Sequence, residues 1–319
     1  MSEQRIKGRD VVHRWKRNPI ITPEDLSFSC LNIVNAGAVK TAKEYILLVR
    51  VETMKGYSVL VVARSLDGIH FILDKKPLLK PAPKGSFSEY EAQGVEDARI
   101  TYLDNTYYIV YTAHSKHGIR LALAKTNDFK HVERRALISE ADNKSGALFP
   151  KKIAGKYVLI ERPSSGGNVW ISYSPDLIHW GESKVLFTPR GTGFWDANRV
   201  GCAVPPIELA DYWMVLYYGE KDSSGGPLFR LGAVLLKKDD PSVVLGRSAI
   251  PILSPRENYE RIGDVGNLIF SCGAVISEDA QELNLYYGSS NSGICLGMVK
   301  IVDIVARCLE REGEKNGSI

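Results

Sequence analysis

The stretch ARITYLDNTYYIVYTAHS, residues 98–115, is typical of a β-hairpin: a short apolar strand, the polar turn LDN, and a second strand rich in β-branched and aromatic residues. The same two-part pattern occurs five times along the chain. The other copies are GAVKTAKEYILLVRVE (37–52), PKKIAGKYVLIERPSS (150–165), CAVPPIELADYWMVLYYGEKD (202–222) and CGAVISEDAQELNLYYGSSN (272–291). This recurrence predicts an all-β fold built from repeated units.

A third strand follows each hairpin, for example SVLVVARSLDGIHF after the first and NVWISYSPDLIHW after the third. The copies begin at residues 37, 98, 150, 202 and 272, a spacing that suits four-stranded propeller blades with inserted loops. We therefore expect a five-bladed β-propeller that forms one domain over residues 1–319. A β-sandwich or two small β domains is the alternative. Residues 301–314 have helical spacing, which predicts a short C-terminal helix packed on the last blade.

Charge and composition exclude some classes of protein. The 41 basic and 37 acidic residues are too balanced and dispersed for a nucleic-acid-binding surface. No apolar run approaches the roughly 20 residues needed to span a membrane, and the first residues lack the apolar stretch of a signal peptide. We expect neither nucleic acid nor membrane as a partner.

The cysteines and histidines form no motif of a disulfide framework or a metal site. Five cysteines, an odd number without C-x-x-C spacing, indicate buried thiols in a reducing compartment, so we expect a cytoplasmic protein. His114 and His117 are the best-spaced pair of histidines, but no carboxylate motif accompanies them. We therefore expect no metal and no cofactor.

Polar side chains recur where each second strand ends. Because equivalent positions of propeller blades face one central mouth, these residues should converge there. They read RVE (50–52), YTAH (111–114), ERPS (161–164), YYGE (217–220) and YYGS (286–289). Such a cluster would be costly to bury without a ligand, and its aromatic and charged groups suit a sugar. Salt bridges between blades are the alternative.

Two adjacent carboxylates, Glu96 and Asp97, lie in GVEDARI (94–100), just before a strand and beside Arg99. Neighbours on a regular strand point to opposite faces. We therefore expect one of the two acids to face the ligand and the other to form a structural ion pair. Alone, this motif is also typical of a simple turn.

Taken together, several segments resemble glycoside hydrolase family 130. They include RNPIITPEDL (17–26), NAGAVK (35–40), LLVRVE (47–52), ARSLDGIHF (63–71), GVEDARIT (94–101), LFPKKIAGKYVLIERPS (148–164), ISYSPDLIHWG (171–181), LGAVLLKKDDPSVVLGR and CGAV…LYYGSSN. The resemblance covers about residues 17–305 in order. It implies a five-bladed propeller that acts on β-mannosides, either as an inverting phosphorylase or as a β-1,2-mannoside hydrolase.

The resemblance also implies roles for residues. Asp97 matches the family's general acid, which is thought to protonate the glycosidic oxygen through a hydroxyl of the mannose. The expected sugar-binding residues are Asn35, Arg50, Glu52, Arg64, Asp196, Tyr218 and Asn291. The expected phosphate-binding residues are Lys151, Arg162 and Arg199, because converging cations suit an anionic nucleophile.

This chain departs from the family pattern on the phosphate side. Tyr218 stands where the family often has histidine, Glu161 replaces the histidine of H-R-P-S, and Asn291 replaces an aspartate. Arg199 stands in place of the more usual lysine. Each change weakens the match to a phosphate site.

The sequence alone leaves the nucleophile open. A phosphorylase needs the acid and positive charge, whereas an inverting hydrolase needs a second carboxylate roughly 6.5–9.5 Å away to activate water. Glu161 and Glu220 are the candidate bases. Phosphorolysis to α-mannose 1-phosphate, a glycosyltransferase activity, is the favoured prediction. A hydrolase is the alternative, and a non-catalytic glycan-binding propeller is a third.

The acceptor side is less defined, because inserted loops form it. Loops 80–93 and 189–198 are the candidates, and they offer four aromatic rings that could stack on a sugar: Phe87, Tyr90, Phe194 and Trp195. Ordinary loop packing is the alternative for these rings. The expected partners are a β-mannoside oligosaccharide and inorganic phosphate as co-substrate, with self-association in a homo-oligomer possible from the resemblance.

Overall fold

The computed structural model describes residues 10–290 and 293–310, and within them the protein is built almost entirely of β-strands. In chain order the strands are β1 (His13–Arg14), β2 (Cys30–Lys40), β3 (Tyr45–Thr53), β4 (Ser58–Ser65), β5 (Ile72–Leu73), β6 (Gly94–Leu103), β7 (Thr106–Ser115), β8 (Gly118–Thr126), β9 (Glu133–Leu137), β10 (Asn143–Leu148), β11 (Tyr157–Pro163), β12 (Val169–Ser174), β13 (Gly181–Phe187), β14 (Arg199–Cys202), β15 (Ile207–Glu208), β16 (Tyr212–Ser223), β17 (Gly226–Lys237), β18 (Val244–Arg247), β19 (Ile269–Ile276), β20 (Glu282–Ser289) and β21 (Gly293–Lys300). The helices are α1 (Ser86–Tyr90), α2 (Asn258–Arg261) and α3 (Ile301–Leu309), with 3₁₀ turns at Pro23–Asp25 and Ser165–Gly167.

The strands form five antiparallel groups in sequence order. Group 1 is β2–β5, group 2 is β6–β9, group 3 is β10–β13, group 4 is β14 with β16–β18 and the short β15, and group 5 is β19–β21 with β1. Groups 1 and 2 count as one eight-stranded sheet because a single parallel bridge joins Ser58 to Gly94. The N-terminal β1 pairs with β21, so it adds the outer strand of group 5.

The hairpins at the start of the groups follow from local sequence. In group 2, Leu103 pairs with Thr106, and the two turn residues Asp104 and Asn105 both have positive φ, 49° and 58°. This is the geometry of a two-residue turn whose twist matches the strands, and Asp and Asn tolerate it better than most residues. The LDN turn of the sequence pattern is thus the hairpin turn of the structure.

The apolar core consists of five clusters, and each lies between two neighbouring groups. Clusters pack group 1 on group 2, group 2 on group 3, group 3 on group 4 and group 4 on group 5. The fifth packs group 5 on group 1, where Val275, Tyr286 and Leu296 meet Leu47 and Val49. Both faces of each sheet are therefore buried, which explains the nearly continuous apolar runs in the strands.

The C-terminal helix is confirmed, but its position differs from the prediction. α3 contacts β17 and β18 of group 4 as well as β21 of group 5. Its Cys308 thiol donates to the carbonyl of Ala233 at 3.3 Å. A side chain at Gly246 would collide with the Cys308 carbonyl, since a Cβ there would lie 2.5 Å from that oxygen. The predicted residues beyond 310 lie outside the described part of the chain.

Each group has two distinct ends. At the site end, the first strand begins and the second strand finishes; at the turn end, the hairpin joins them. In group 1 the site end carries Cys30 and Thr53, which pair, and the turn end carries Lys40 and Tyr45. The residues that were predicted to converge, such as RVE (50–52) and ERPS (161–164), all lie at the site ends.

Candidate active site

The first strands are irregular near the site end in four of the five groups. The strand register shifts between Ile33 and Ala36, Glu96 and Arg99, Lys144 and Ala147, and Ser271 and Gly273. Two residues at these bulges have left-handed backbone, Asp97 with φ 51° and Ser145 with φ 58°. Bulges redirect side chains, and strained non-glycine residues concentrate at functional sites. The backbone at the site ends thus has the bulges and left-handed residues that are common in binding sites.

Asp97 lies at the centre of this region. Asn35 of β2 donates its amide to Asp97 Oδ1 at 2.8 Å, and Arg50 Nη1 of β3 donates to the same oxygen at 3.1 Å. Arg50 is itself held by a hydrogen bond from its Nε to Ser58 Oγ at 3.0 Å. Three of the predicted site residues, Asn35, Arg50 and Asp97, are therefore brought together.

The environment of Asp97 lowers its pKa. Burial alone would raise the pKa of this carboxyl, but the nearby charges of Arg50 and Arg99 and the hydrogen bond from Asn35 outweigh burial, so the net pKa lies below the ordinary value. Asp97 is accordingly ionised near neutral pH in the protein without substrate. To act as an acid it must take up a proton when the site is filled.

The structure corrects the expectation that Glu96 and Asp97 point to opposite faces. Because the strand bulges between Glu96 and Arg99, both carboxylates contact the same guanidinium: Arg50 Nη2 lies 3.0 Å from Glu96 Oε1 while Nη1 holds Asp97. Glu96 Oε1 also lies 3.2 Å from Nδ1 of His114. The alternation rule fails here since it applies only to a regular strand.

Arg99 has a structural position. Its guanidinium is 1% exposed and donates to the carbonyls of Cys202 and Ala203 in group 4, at 2.9 and 2.8 Å, and to the Asp97 carbonyl at 3.0 Å. It thus links the first strand of group 2 to that of group 4. This contact fixes the backbone of Asp97.

Arg162 is the most unusual side chain at the site ends. It is 1% exposed, yet none of its three guanidinium nitrogens has a hydrogen-bond partner within the described residues. Its backbone N–H is bonded to Asn143 Oδ1 at 3.2 Å, which fixes the strand and not the charge. A buried guanidinium without an anion is strongly unfavourable. An anionic ligand would supply the hydrogen-bond acceptors and the negative charge that the Arg162 guanidinium lacks.

Other buried polar atoms near the site ends also lack partners. They include Asn35 Oδ1, beside Asp97, and Thr112 Oγ1 on β7, whose residue pairs with Glu96 in the sheet. Buried polar groups are nearly always hydrogen-bonded, so unpaired ones close together mark a place for water or ligand. Together with the Arg162 guanidinium, these atoms leave unused donors and acceptors at the site ends of groups 1, 2 and 3.

Glu161 and Glu220 are both engaged. Glu161, 9% exposed, accepts hydrogen bonds from Asn143 Nδ2 at 2.7 Å and from Ser172 Oγ. Glu220 forms an ion pair with Arg199, whose Nε lies 2.7 Å from Glu220 Oε2. The two residues face each other across β14 and β16. The predicted phosphate ligand Arg199 and the predicted base Glu220 thus neutralise each other.

Two predicted ligands lie at the turn ends, away from Asp97. Lys151 follows Leu148, which pairs with Leu159, whereas Arg162 pairs with Lys144 at the other end of the sheet. Lys151 is 61% exposed and contacts Glu208 at 3.3 Å. Arg64 lies at the far end of β4, bound to Glu44 at 2.8 Å and Asp74 at 3.3 Å. The structure does not bring either residue to the site.

The other predicted sugar ligands differ in availability. Glu52 is half-buried at the end of β3 and makes no hydrogen bond or ion pair with described residues, so its carboxylate is available. Tyr218 is buried against Phe270, with ring centroids 4.7 Å apart, and its hydroxyl lies 3.3 Å from Ser145 Oγ. Asn291 lies outside the described residues.

Asp196 is committed to a buried ion network. Its oxygens receive Arg190 Nε at 2.9 Å, Arg247 Nη2 at 2.5 Å and the Tyr217 hydroxyl at 2.7 Å. A side chain at Gly219 would lie 2.4 Å from the Asp196 Cβ, so the sheet packs tightly on this network. With both oxygens engaged and the residue fully buried, Asp196 has a structural environment.

The Asp196→Asn variant should therefore lose stability. Removing the charge leaves Arg190 and Arg247 without their shared anion, and breaking a buried pair costs about 3–5 kcal/mol. We expect the free energy of unfolding in urea to fall by about 3 kcal/mol. Asp239→Asn, at an exposed ion pair, is the control and should leave the free energy of unfolding essentially unchanged. Unchanged stability with lost sugar binding would instead make Asp196 a ligand.

The aromatic rings of the predicted acceptor loops are largely packed. Trp195 is buried and stacks on Tyr217 with centroids 5.4 Å apart. Phe87 packs against the core between groups 1 and 2. Tyr90 and Phe194 lie beside Arg120 and Arg190, respectively, in cation–π contacts. Ordinary packing thus accounts for Trp195 and Phe87.

Sequence reasoning missed several residues of the site. His114 was expected at the mouth within YTAH (111–114) and was weighed as a metal ligand, but its contact with Glu96 was not predicted. Asn143 and Ser145 were not considered at all, although Asn143 fixes both Glu161 and the Arg162 backbone. The sequence did contain a signal for these residues. NKSG (143–146) places small polar residues on the first strand of group 3, and Asn35 is a polar residue on the first strand of group 1.

Three further features of the described residues concern metal ligands, long helices and cysteines. Residues 10–290 and 293–310 contain no group of three or more histidine, cysteine or acidic side chains placed to hold a metal ion. No helix in the same residues is long and apolar enough to cross a membrane. The described cysteines are all free thiols.

The all-β scaffold carries the Asp97 carboxylate, the unpaired Arg162 guanidinium and the Asn35 amide at the site ends of its strands, a set of polar groups that suits a carbohydrate ligand. The model of glycoside hydrolase family 130, described as beta-1,4-mannooligosaccharide phosphorylase, matches residues 2–310. The chain belongs to this family.

Relatives of known activity span most of the chain. The β-1,2-mannobiose phosphorylase of Listeria innocua is 32% identical, over 92% of this chain and 97% of its own length. Its complex with β-1,2-mannobiose superposes with a TM-score of 0.84, covering 93% of this chain and 99% of that one. The β-1,4-mannooligosaccharide phosphorylase of Ruminococcus albus is 29% identical, over 93% of this chain and 90% of its own length.

A second activity occurs within the family, as one similar structure indicates. It was reported with the finding that this family of mannoside phosphorylases contains glycoside hydrolases that target β-1,2 mannosidic linkages in Candida mannan. It is 25% identical, has a TM-score of 0.82, and the match covers 92% of this chain and 94% of that one. Family membership therefore leaves two nucleophiles, phosphate and water.

Proposed function

We propose that this protein cleaves β-mannosides by inverting phosphorolysis, giving α-mannose 1-phosphate and a shortened sugar. The observation that carries the proposal is Arg162, a buried guanidinium without a partner in the described residues. The relatives described above include phosphorylases of both β-1,2- and β-1,4-linked mannosides. The proposal includes inorganic phosphate as co-substrate and no cofactor.

The scaffold of this activity is a five-bladed β-propeller in a single domain, with each four-stranded group as one blade. Five core clusters that link consecutive groups, and group 5 to group 1, support this arrangement. So do contacts between first strands, such as β2 with both β6 and β19. In such a fold the five site ends face one mouth.

Asp97 supplies the proton in this mechanism. The glycosidic C–O bond breaks as a phosphate oxygen forms its bond to the anomeric carbon from the opposite face. The proton passes from Asp97 to the leaving oxygen, through a mannose hydroxyl if the family pattern holds here. The proposal assigns Asn35, Arg50 and Glu52 to the sugar, supported by the bonds of Asn35 and Arg50 to Asp97 and by the position of Glu52 two residues beyond Arg50 on β3.

Positive charge is the main requirement on the phosphate side, because phosphate is already a nucleophile. Arg162, on β11, provides a guanidinium without a paired anion. Arg199 lies on β14, and β14 contacts both β11 and the 3₁₀ turn Ser165–Gly167 that follows it. Charge-assisted hydrogen bonds from arginine to phosphate oxygens are short and strong. Lys151 is not part of this proposed site since it lies at the turn end.

Hydrolysis is the second candidate function, and Glu220 is the residue that favours it. Glu220 lies near the site end with its side chain 13% exposed, paired with Arg199. If Arg199 positions Glu220 as a base, water is the nucleophile. If phosphate binds Arg199, Glu220 is a competing anion. Glu161 is a poorer base because Asn143 and Ser172 already occupy its oxygens. A non-catalytic sugar-binding role would leave the unpaired Arg162 unexplained.

The Glu220→Gln variant separates these two functions. For a phosphorylase, removing the competing carboxylate frees Arg199, and the KM for phosphate should fall about fivefold, corresponding to about 1 kcal/mol for a partly exposed pair. For a hydrolase that uses this base, kcat should fall by about a hundredfold or more. Steady-state kinetics with varied phosphate give the answer, and Glu282→Gln, exposed at the start of β20, is the control.

The proposed function is tested with a panel of substrates. The purified protein is incubated with β-1,2-mannobiose, β-1,4-mannobiose and mannosyl-glucose, with and without inorganic phosphate. Phosphate-dependent mannose 1-phosphate from one of these substrates supports the proposal and identifies the linkage. Free mannose released at the same rate without phosphate would overturn it in favour of hydrolysis.

A further inference from the structure

Four ionisable side chains form a continuous chain from the solvent to the proposed acid. His114 Nδ1 lies 3.2 Å from Glu96 Oε1, the same oxygen lies 3.0 Å from Arg50 Nη2, and Arg50 Nη1 lies 3.1 Å from Asp97 Oδ1. We refer to His114, Glu96, Arg50 and Asp97 as the four-residue ion chain. Its two ends differ, because His114 is 40% exposed whereas Glu96 and Asp97 are largely shielded.

The backbone fixes this arrangement. The bulge between Glu96 and Arg99 and the left-handed backbone of Asp97 place two adjacent carboxylates on one guanidinium. Arg50 cannot easily turn away, because its Nε is bonded to Ser58 Oγ at 3.0 Å. Arg50 therefore divides its charge between Glu96 and Asp97. A group that binds Glu96 therefore changes how strongly the Arg50 guanidinium interacts with the Asp97 carboxylate.

We propose that Glu96 and His114 are positioning residues that set, through Arg50, how tightly Asp97 holds its proton. This inference rests on the proposed role of Asp97 as the acid. His114 is 40% exposed, and histidine is the side chain that most readily changes charge near neutral pH, so this contact makes the acid responsive to pH. Neither Glu96 nor His114 needs to touch the substrate for this role.

The sign of the effect follows from the charges. When His114 is protonated it draws Glu96, Arg50 turns more fully to Asp97, and the ionised form of Asp97 is favoured. When His114 is neutral, Glu96 competes for Arg50, and Asp97 takes up a proton more easily. Activity that needs protonated Asp97 is therefore restrained when His114 is protonated.

Other groups act on the chain at Asp97 and at Arg50. Arg99 lies beside Asp97 on β6, Asn35 contacts Asp97 from β2, and the buried Cys272 thiol of β19 interacts with both Arg50 and Asp97. On the hairpin that carries His114, the neighbouring His117 pairs with Glu89 of α1 at 3.2 Å. This second pair is a separate contact, and its Glu89 provides a matched control for Glu96.

The direct test follows the titration of His114 by NMR in the full-length protein without substrate. In the Asp97→Asn variant the loss of one negative charge should move the His114 titration curve to lower pH, because the two sites are coupled reciprocally. In a Glu96→Gln background the same Asp97→Asn change should move the curve by less than half as much. Glu89→Gln, which removes the partner of His117, should leave this coupling intact.

A kinetic arm uses the variants with substrate and phosphate. The ratio of kcat in His114→Gln to kcat in the unmodified protein should rise about two- to threefold as the pH is lowered from neutral to mildly acidic values, where histidine gains its charge. Two results would overturn the inference. One is a loss of kcat in His114→Gln that is the same at every pH, and the other is a His114 titration curve that Asp97→Asn leaves unchanged. The NMR titration needs no turnover. If the protein proved inactive on every mannoside, the proposed function would be contradicted, but the NMR titration would still decide whether His114 is coupled to Asp97.

Discussion

The Asp97→Asn variant should lose phosphorolysis almost completely, with kcat/KM reduced by about 10³-fold, since a positioned general acid contributes about 10²- to 10⁴-fold. Asparagine keeps the shape of the side chain and its place between Asn35 and Arg50. It cannot give a proton to the leaving oxygen. Initial rates of mannose 1-phosphate formation measure the effect directly.

Stability provides the check that Asp97→Asn remains folded. The pKa of Asp97 is lower in the folded protein than its ordinary value, so the ionised carboxylate stabilises the fold above that ordinary value, and this contribution is lost as pH falls through the lowered folded-state pKa. The variant should lose this stability near neutral pH and retain a cooperative transition. Asp104→Asn, in the hairpin turn at the turn end, is the matched control and should keep its rate within about twofold. Intact turnover in Asp97→Asn would contradict the role assigned to Asp97.

The Arg162→Met variant should show opposite effects on activity and on stability. Losing two charge-assisted hydrogen bonds to phosphate, each about 1.5–3 kcal/mol, should raise the KM for phosphate by about a hundredfold or more. Without phosphate, methionine removes the cost of burying an unpaired guanidinium. We therefore expect the free energy of unfolding to rise by about 1 kcal/mol.

Thermal unfolding with and without phosphate completes the test of Arg162. Phosphate should raise the Tm of the unmodified protein, since a ligand that binds only the folded state stabilises it. It should leave the Tm of Arg162→Met unchanged. Arg135→Met, at an exposed arginine paired with Glu133, is the control and should keep the phosphate response. A destabilised Arg162→Met that still responds to phosphate would make Arg162 a structural residue.

Much of the fold could be predicted from the hairpin pattern, because hairpins are encoded locally. The LDN and AGK turns lie where the structure turns, and the residues after each second strand lie at the site ends. The short strand β1 could not be predicted in this way. Its two residues acquire their structure only by pairing with Met298 and Gly297, almost the whole chain away.

The site was predicted less completely, for three separate reasons. Lys151 and Arg64 match family segments but lie on the wrong side of a hairpin turn or at the far end of a strand, which the order of elements could have revealed. The shared guanidinium of Arg50 depends on a bulge that strand alternation does not anticipate. The pairing of Arg199 with Glu220 depends on cross-strand register. Such contacts are decided by tertiary structure.

The central claim is that phosphate, held by Arg162, attacks a mannoside protonated by Asp97. The most direct measurement is ³¹P NMR of the protein with the mannobiose that it turns over and inorganic phosphate, followed over time. The account predicts α-mannose 1-phosphate appearing as phosphate is consumed, with no such signal from Asp97→Asn or, at the same phosphate concentration, from Arg162→Met. Release of free mannose without any phosphorus-containing product would contradict it.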